Sequence, residues 1–196
     1  MDRAAVALYI ARVALKATVH HVEIALSDVD RGVYEALDLR VAQHPSETMR
    51  YLLTRLLAYS LSYEEGIAFS KGGLSSMDEP PISIRDGDGT LRAWIDIGTP
   101  SAERLHKAAK AAERVALYTS APIVNVRREA SARAIHRVEE IEVWRIDPAF
   151  LDAVTASVER RARLDLTRSD GHLYVSVDGT TLETKLERTS LVEPAG

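Results

Sequence analysis

The sequence has no cysteine. That excludes a disulfide framework, a thiolate zinc site and a catalytic thiol, and makes the reducing cytoplasm the expected compartment. It has no apolar run near the ~20 residues that cross a bilayer, so no membrane partner is expected. Residues 4–11 are apolar, but no basic segment precedes them and no clear small-residue cleavage site follows, so they do not read as a signal peptide. There is no internal repeat and no low-complexity linker. The net charge is only −4, which argues against a protein that coats nucleic acid non-specifically and leaves room for a local cleft. No long exposed apolar stripe appears, and a monomer is expected.

What is present is the composition of one globular domain: 196 residues, 46% hydrophobic and 28% charged. Residues 16–26 alternate, with Thr18, Val22, Ile24 and Leu26 on one side. Residues 33–41 alternate again, with Val33, Leu37, Leu39 and Val41 in register, and the polar turn between them predicts a hairpin. Ser46 is the expected N-cap of a helix that has Glu47 in its first turn and an apolar stripe of Met49, Leu52, Leu53, Leu56 and Leu57. Short strands are expected at 67–70 and 82–85, and the clearest strand is Leu91 to Ile97. There Leu91, Ala93, Ile95 and Ile97 take one face, and Arg92, Trp94 and Asp96 the other.

Thr99-Pro100 predicts a helix start, with the helix running to about Arg114 and burying Leu105, Ala108, Ala109 and Ala112. A strand at 115–119, a helix at 126–138, a strand at 141–146 and a helix capped by Asp147-Pro148 follow. The tail reads as three strands joined by turns at Ser169-Asp170-Gly171 and Asp178-Gly179. Arg127, Arg128, Arg133 and Arg137 are interleaved with Glu129, Glu139 and Glu140, as on a solvated ion-pair face. Arg160, Arg161 and Arg163 are expected to close a helix.

Familiar motifs fail. Asp86-Gly87-Asp88-Gly89 lacks the third glycine of a phosphate loop and leads into a strand. His20 and His21 are adjacent on a strand and point to opposite faces, so they cannot share a metal. The remaining chemistry is acidic. Asp78 and Glu79 lie in a loop, Asp96 lies on the central strand one hairpin later, and Glu47 lies at a helix start. That order brings the loop and strand acids to one sheet edge. Mg²⁺ or Mn²⁺ would use such carboxylates together with a substrate phosphate to activate water. Each acid also has a plainer role, at a helix terminus for Glu47 and in solvent for Asp78 and Glu79.

The segments His44-Pro45-Ser46-Glu47-Thr48, Arg55-Leu56-Leu57-Ala58-Tyr59, Phe69-Ser70-Lys71-Gly72, Asp78-Glu79-Pro80, Trp94-Ile95-Asp96-Ile97-Gly98, Lys107-Ala108 and Val143-Trp144 occur in order. Together they resemble the signature of the YaeQ family, whose core is similar to that of PD-(D/E)XK nucleases. The resemblance implies an α/β fold: a nuclease-like mixed sheet flanked by helices, with added β-hairpins at the N- and C-terminal ends. It also implies an extension at 1–12, with Val13 a possible alternative start, one domain over 13–187, and a tail at 188–196. It places Glu47 as the helix acid and Asp78, Glu79 and Asp96 as metal ligands, with Lys71 or Lys107 as the cation. Two departures stand out. Gly98 occupies the nuclease lysine position, and Pro81 follows Glu-Pro where the family has an acid. Two functions are therefore expected from this site: a metal-dependent phosphodiesterase acting on DNA or RNA, or a non-catalytic module that binds nucleic acid or protein on a degenerate nuclease fold.

Overall fold

The structure, a computed structural model, describes residues 17–70 and 79–192. β1 (Thr18–Asp28) and β2 (Val33–Gln43) form the expected hairpin, in one unbroken register from Thr18 opposite Gln43 to Asp28 opposite Val33. The alternation sends Val22, Ile24, Leu26, Leu37, Leu39 and Val41 inward. Gly32, at φ +68°, supplies the left-handed residue of the turn.

α1 (Met49–Leu61) carries Leu52, Leu53, Leu56 and Leu57, each 1% exposed. Truncating one of these to alanine would cost about 2–5 kcal/mol. The cap differs from expectation. Thr48, not Ser46, accepts the Tyr51 N–H at 3.1 Å, while Ser46 Oγ turns to His44 Nδ1 at 2.6 Å. Glu47 precedes the helix and folds into a tight turn, its N–H donating to the His44 carbonyl at 2.8 Å.

β3 (Ile67–Phe69), β4 (Ile82–Arg85) and β5 (Leu91–Ile97) form an antiparallel meander, with a register shift between Ile84 and Arg85. α2 (Ala102–Ala111) then crosses to β6 (Arg114–Thr119), parallel to β5. Ser101, not Thr99, caps α2, and the chain turns extended at Ala112 rather than at Arg114. α3 (Ile123–Ala130) starts three residues before the expected helix and stops eight short of it. Arg137 takes a left-handed conformation, and its guanidinium donates to the Ala109 and Ala112 carbonyls at 2.6 and 2.9 Å, closing the C-terminal end of α2. A 3-10 turn (Val138–Glu140) leads to β7 (Glu142–Arg145), parallel to β6.

α4 (Pro148–Ser157) has the expected Asp147 cap, whose carboxylate accepts the Phe150 N–H at 2.8 Å. β8 (Arg161–Ser169), β9 (His172–Val177) and β10 (Thr180–Lys185) follow, and β11 (Glu187–Thr189) returns to β7. Arg161 and Arg163 thus lie on a strand, not at a helix end. The fold is mixed α/β with two sheets flanked by helices. The terminal hairpins are not separate additions: β8 runs parallel beside β1, giving the order β10-β9-β8-β1-β2. The second sheet has the order β11-β7-β6-β5-β4-β3. One core joins the inner face of the first sheet, α1, α4 and one face of the second. Trp94, Leu117 and Val143 face the opposite side, against α2 and α3.

Candidate functional site

The alternation of β5 decides where its acid goes. Ile95 and Ile97 enter the main core, whereas Trp94 packs with α2 and α3. Asp96 shares the side of Trp94 and is 2% exposed. Its Oδ2 accepts Trp94 Nε1–H at 3.0 Å and Arg104 Nε–H at 2.6 Å, and its Oδ1 accepts the Ile97 N–H at 3.2 Å. The Arg104 guanidinium also lies 5.4 Å from the centre of the Trp94 ring. From there its Nη2 donates to the Glu79 carbonyl at 2.9 Å.

One guanidinium therefore ties the residue before Pro80 to the end of β5. The structure brings Glu79 and Asp96 to the same edge through Arg104, but the Glu79 side chain is exposed and accepts from Ser70 Oγ at 3.1 Å.

Glu47 forms a second, parallel arrangement at the entrance to α1. Its side chain is 0% exposed and that of its partner Arg55 is 4% exposed, with Arg55 Nη2 3.1 Å from Oε1 and 3.2 Å from Oε2. The His44 N–H donates to Oε2 at 3.0 Å. Burial pushes the Glu47 carboxyl above its ordinary range, opposed mainly by the charge of Arg55. Burial likewise pushes Arg55 down, opposed by Glu47. Glu47 is thus a buried ion-pair acid rather than a first-turn helix acid.

Tyr51 sits between the two pairs. Burial first, then the nearby negative charge of Asp96, raises its hydroxyl to about 12, with Arg55, Glu47 and Arg104 acting more weakly. A side chain at Gly98 would meet the Tyr51 ring edge at 3.7 Å, and Gly98 itself has φ +85°. Lys107 is exposed on α2, one turn beyond Arg104. Lys71 and Asp78 lie outside the described residues.

Arg55, Arg104 and Tyr51 were not singled out from the sequence. Arg55 does stand in one of the family-like segments, and Arg104 stands beside Leu105 on the shoulder of the α2 stripe.

A divalent cation needs carboxylate oxygens with lone pairs to spare. Here the Asp96 oxygens accept three N–H groups, so that carboxylate does not fit one; Glu47 accepts the His44 N–H and Arg55 on Oε2, and its Oε1 makes no hydrogen bond but lies 3.1 Å from the Arg55 cation, which disfavours a second cation there. Among the described residues no group of three or more histidine, aspartate or glutamate side chains is placed to hold a metal. What the arrangement does provide is charge neutralisation between the end of β5 and the entrance to α1: two buried acids, each with its own arginine.

Comparison with known proteins gives the lineage. The chain is 32% identical over 174 residues to the YaeQ protein of Escherichia coli strain K12, covering 88% of this chain and 96% of that one. It is 30% identical over 174 residues to YaeQ of Salmonella typhi, with the same coverage. The crystal structure of YaeQ from Pseudomonas syringae superimposes with a TM-score of 0.78 at 29% identity, covering 92% of this chain and 98% of that one. The structure from Xanthomonas axonopodis pv. citri does so with a TM-score of 0.78 at 32% identity, covering 91% and 99%. The model of the family described as YaeQ protein matches residues 13–186, and the chain belongs to the YaeQ family.

Proposed function

We propose that this protein is a nucleic-acid-binding module on a nuclease-like core that holds DNA or RNA without cutting it. The observation that carries this reading is the 2.6 Å pairing of Arg104 with Asp96, which occupies the carboxylate a metal would need. A binding surface is offered elsewhere. Arg160 and Arg161 have no ion-pair partner among the described residues, and with His21 and Val19 they line a depression beside Glu159 at the start of β8. Arginines held there would track a phosphate backbone.

The test is fluorescence anisotropy with labelled single- and double-stranded DNA and RNA, run beside denaturing gels in Mg²⁺ and in Mn²⁺. The expected result is salt-dependent binding, about tenfold weaker in R160E/R161E, with the strand left intact. Cleavage that disappears in Asp96→Asn, or no binding to any strand, overturns the reading. One observation favours the alternative, a Mg²⁺- or Mn²⁺-dependent phosphodiesterase: Arg104 spans from Asp96 to the Glu79 carbonyl, so Glu79 and the strand acid approach one end of β5. The same gels decide between the two.

A further inference from the structure

β2 is the outer strand of the five-stranded sheet, and it is built unlike the other edges. β3 and β11 have three residues each and β10 has six, whereas β2 runs for eleven without proline, glycine or bulge. Short length, proline and bulges are the usual means of blunting an edge, and β2 uses none of them.

The direction of its main-chain groups follows from the ladder. His21 N–H donates to the Arg160 carbonyl and Val29 N–H to the Arg168 carbonyl, both at 2.8 Å, so odd residues of β1 face β8 and even ones face β2. His20 lies opposite Val41 and Ile24 opposite Leu37. Odd residues of β2 therefore bond to β1, and Tyr34, Ala36, Asp38, Arg40 and Ala42 turn their N–H and C=O groups to the open edge. Among the described residues the one cross-link there is terminal: the Ala42 carbonyl accepts from Arg55 Nη2 at 2.8 Å. All five of these residues are exposed, and Tyr34 is 63% exposed.

We propose that β2 pairs antiparallel with β2 of a second copy of this chain, about a twofold axis through Leu39, joining two sheets into one. Charge selects both the occupant and the register. With Leu39 on the axis, Asp38 of each copy, whose Oδ1 also meets His21 Nε2 of its own chain at 2.6 Å, lies opposite Arg40 of the other, twice, and Ala36 lies opposite Ala42. Sliding by one residue in either direction about the axis sets Asp38 against Asp38 or Arg40 against Arg40. On the inner face the same register sets Leu37 against Val41 and Leu39 against Leu39. Leu37 and Leu39 keep 7% and 8% exposure, whereas Val22, Ile24 and Leu26 on β1 keep 0–2%. A second strand would cover that remainder. The proposal departs from the monomer expected from the sequence.

The test is sedimentation velocity on the full chain from about 1 to 100 µM, without nucleic acid. The wild type is expected to dimerise. Asp38→Arg sets arginines against arginines and Arg40→Asp sets acids against acids, and each is expected to weaken association at least tenfold. The double variant D38R/R40D exchanges the charges and is expected to return to within about threefold of wild type. Ala36→Pro removes an edge-facing N–H that β1 does not use, and is expected to be monomeric with unchanged circular dichroism. A wild type that stays monomeric at 100 µM, or a dimer indifferent to both charge reversals and to A36P, overturns the proposal. Because no nucleic acid is present, failure here is separate from failure of the binding module.

Discussion

Replacing Arg104 with methionine removes the counter-charge of Asp96 while filling much of the volume over Trp94. Asp96 is 2% exposed and would keep only the Trp94 and Ile97 N–H donors. Stripping one partner from a buried pair typically costs about 3–5 kcal/mol. With an unfolding entropy of roughly 2.1 cal/mol/K per residue, that cost lowers the melting temperature of this chain by about 7–12 °C. The reverse change, Asp96→Asn, should cost less, about 1–3 kcal/mol. The Arg104 side chain retains 12% exposure at the rim and can turn toward solvent, and an asparagine oxygen can still accept the Trp94 N–H, giving up only the longer 3.2 Å bond from the Ile97 N–H. The double variant should recover most of the Arg104→Met loss, because no uncompensated charge remains. Thermal and urea unfolding of the four proteins measure this directly. An Arg104→Met variant within about 0.5 kcal/mol of wild type would refute the reasoning, since such a difference is that of an ordinary surface change. So would an Arg104→Met melting temperature that climbs with millimolar Mn²⁺ but not with Ca²⁺-free buffer of equal ionic strength, because Asp96 would then be a metal ligand held in reserve.

Much of the fold is written locally, and the site is only half so. The alternation of β5 separates Ile95 and Ile97 from Trp94 and Asp96, and the structure puts the first two in one core and Trp94 in the other. The Asp147-Pro148 start of α4 and the turns at Asp170-Gly171 and Asp178-Gly179 are likewise as expected, because cap and turn chemistry acts over a few residues. Pairing between distant segments leaves no such mark. That β1 lies beside β8, Val22 opposite Ala162, depends on their inner faces meeting over the same core. Ser46 and Thr99 fail as caps for local reasons: Glu47 is drawn inward to Arg55, and Ser101, two residues after Thr99, takes the cap of α2. The acids were legible because chemistry restricts which residues can hold a metal. Their arginines were not, because Arg55 and Arg104 look in sequence like any other helix cation, and only the packing shows that each covers a buried carboxylate.

Two further expectations follow from single residues. Asp30 reaches from the β1–β2 turn to accept the N–H groups of Asp170 and Gly171 at 2.7 and 3.0 Å and Arg168 Nε at 3.0 Å, contacts led by the Gly171 N–H that hold its carboxyl below the ordinary range. A lowered folded-state value means stability present at neutral pH and lost as pH falls, so Asp30→Ala should cost about 1–2 kcal/mol at pH 7 and progressively less below about pH 4. Urea unfolding at pH 7 and pH 3 checks it, and a cost that is the same or larger at pH 3 refutes it. Under the nuclease-like core proposed above, Gly98 takes the place of the nuclease lysine, which makes Gly98→Lys the natural test of that reading. Space is not the obstacle, since the nearest atom to a new Cβ is the Tyr51 ring edge at 3.7 Å. The obstacle is the backbone: φ is +85°, and the Gly98 N–H is committed to the Tyr118 carbonyl at 2.8 Å. A side chain there should cost about 1–2 kcal/mol. Because the penalty belongs to the Cβ and not to the ammonium, Gly98→Ala should lose the same amount as Gly98→Lys. Neither should gain cleavage of DNA or RNA in Mn²⁺, since Asp96 remains bonded to Arg104. A lysine variant as stable as wild type, or one that cuts, would refute this reading of the strand end.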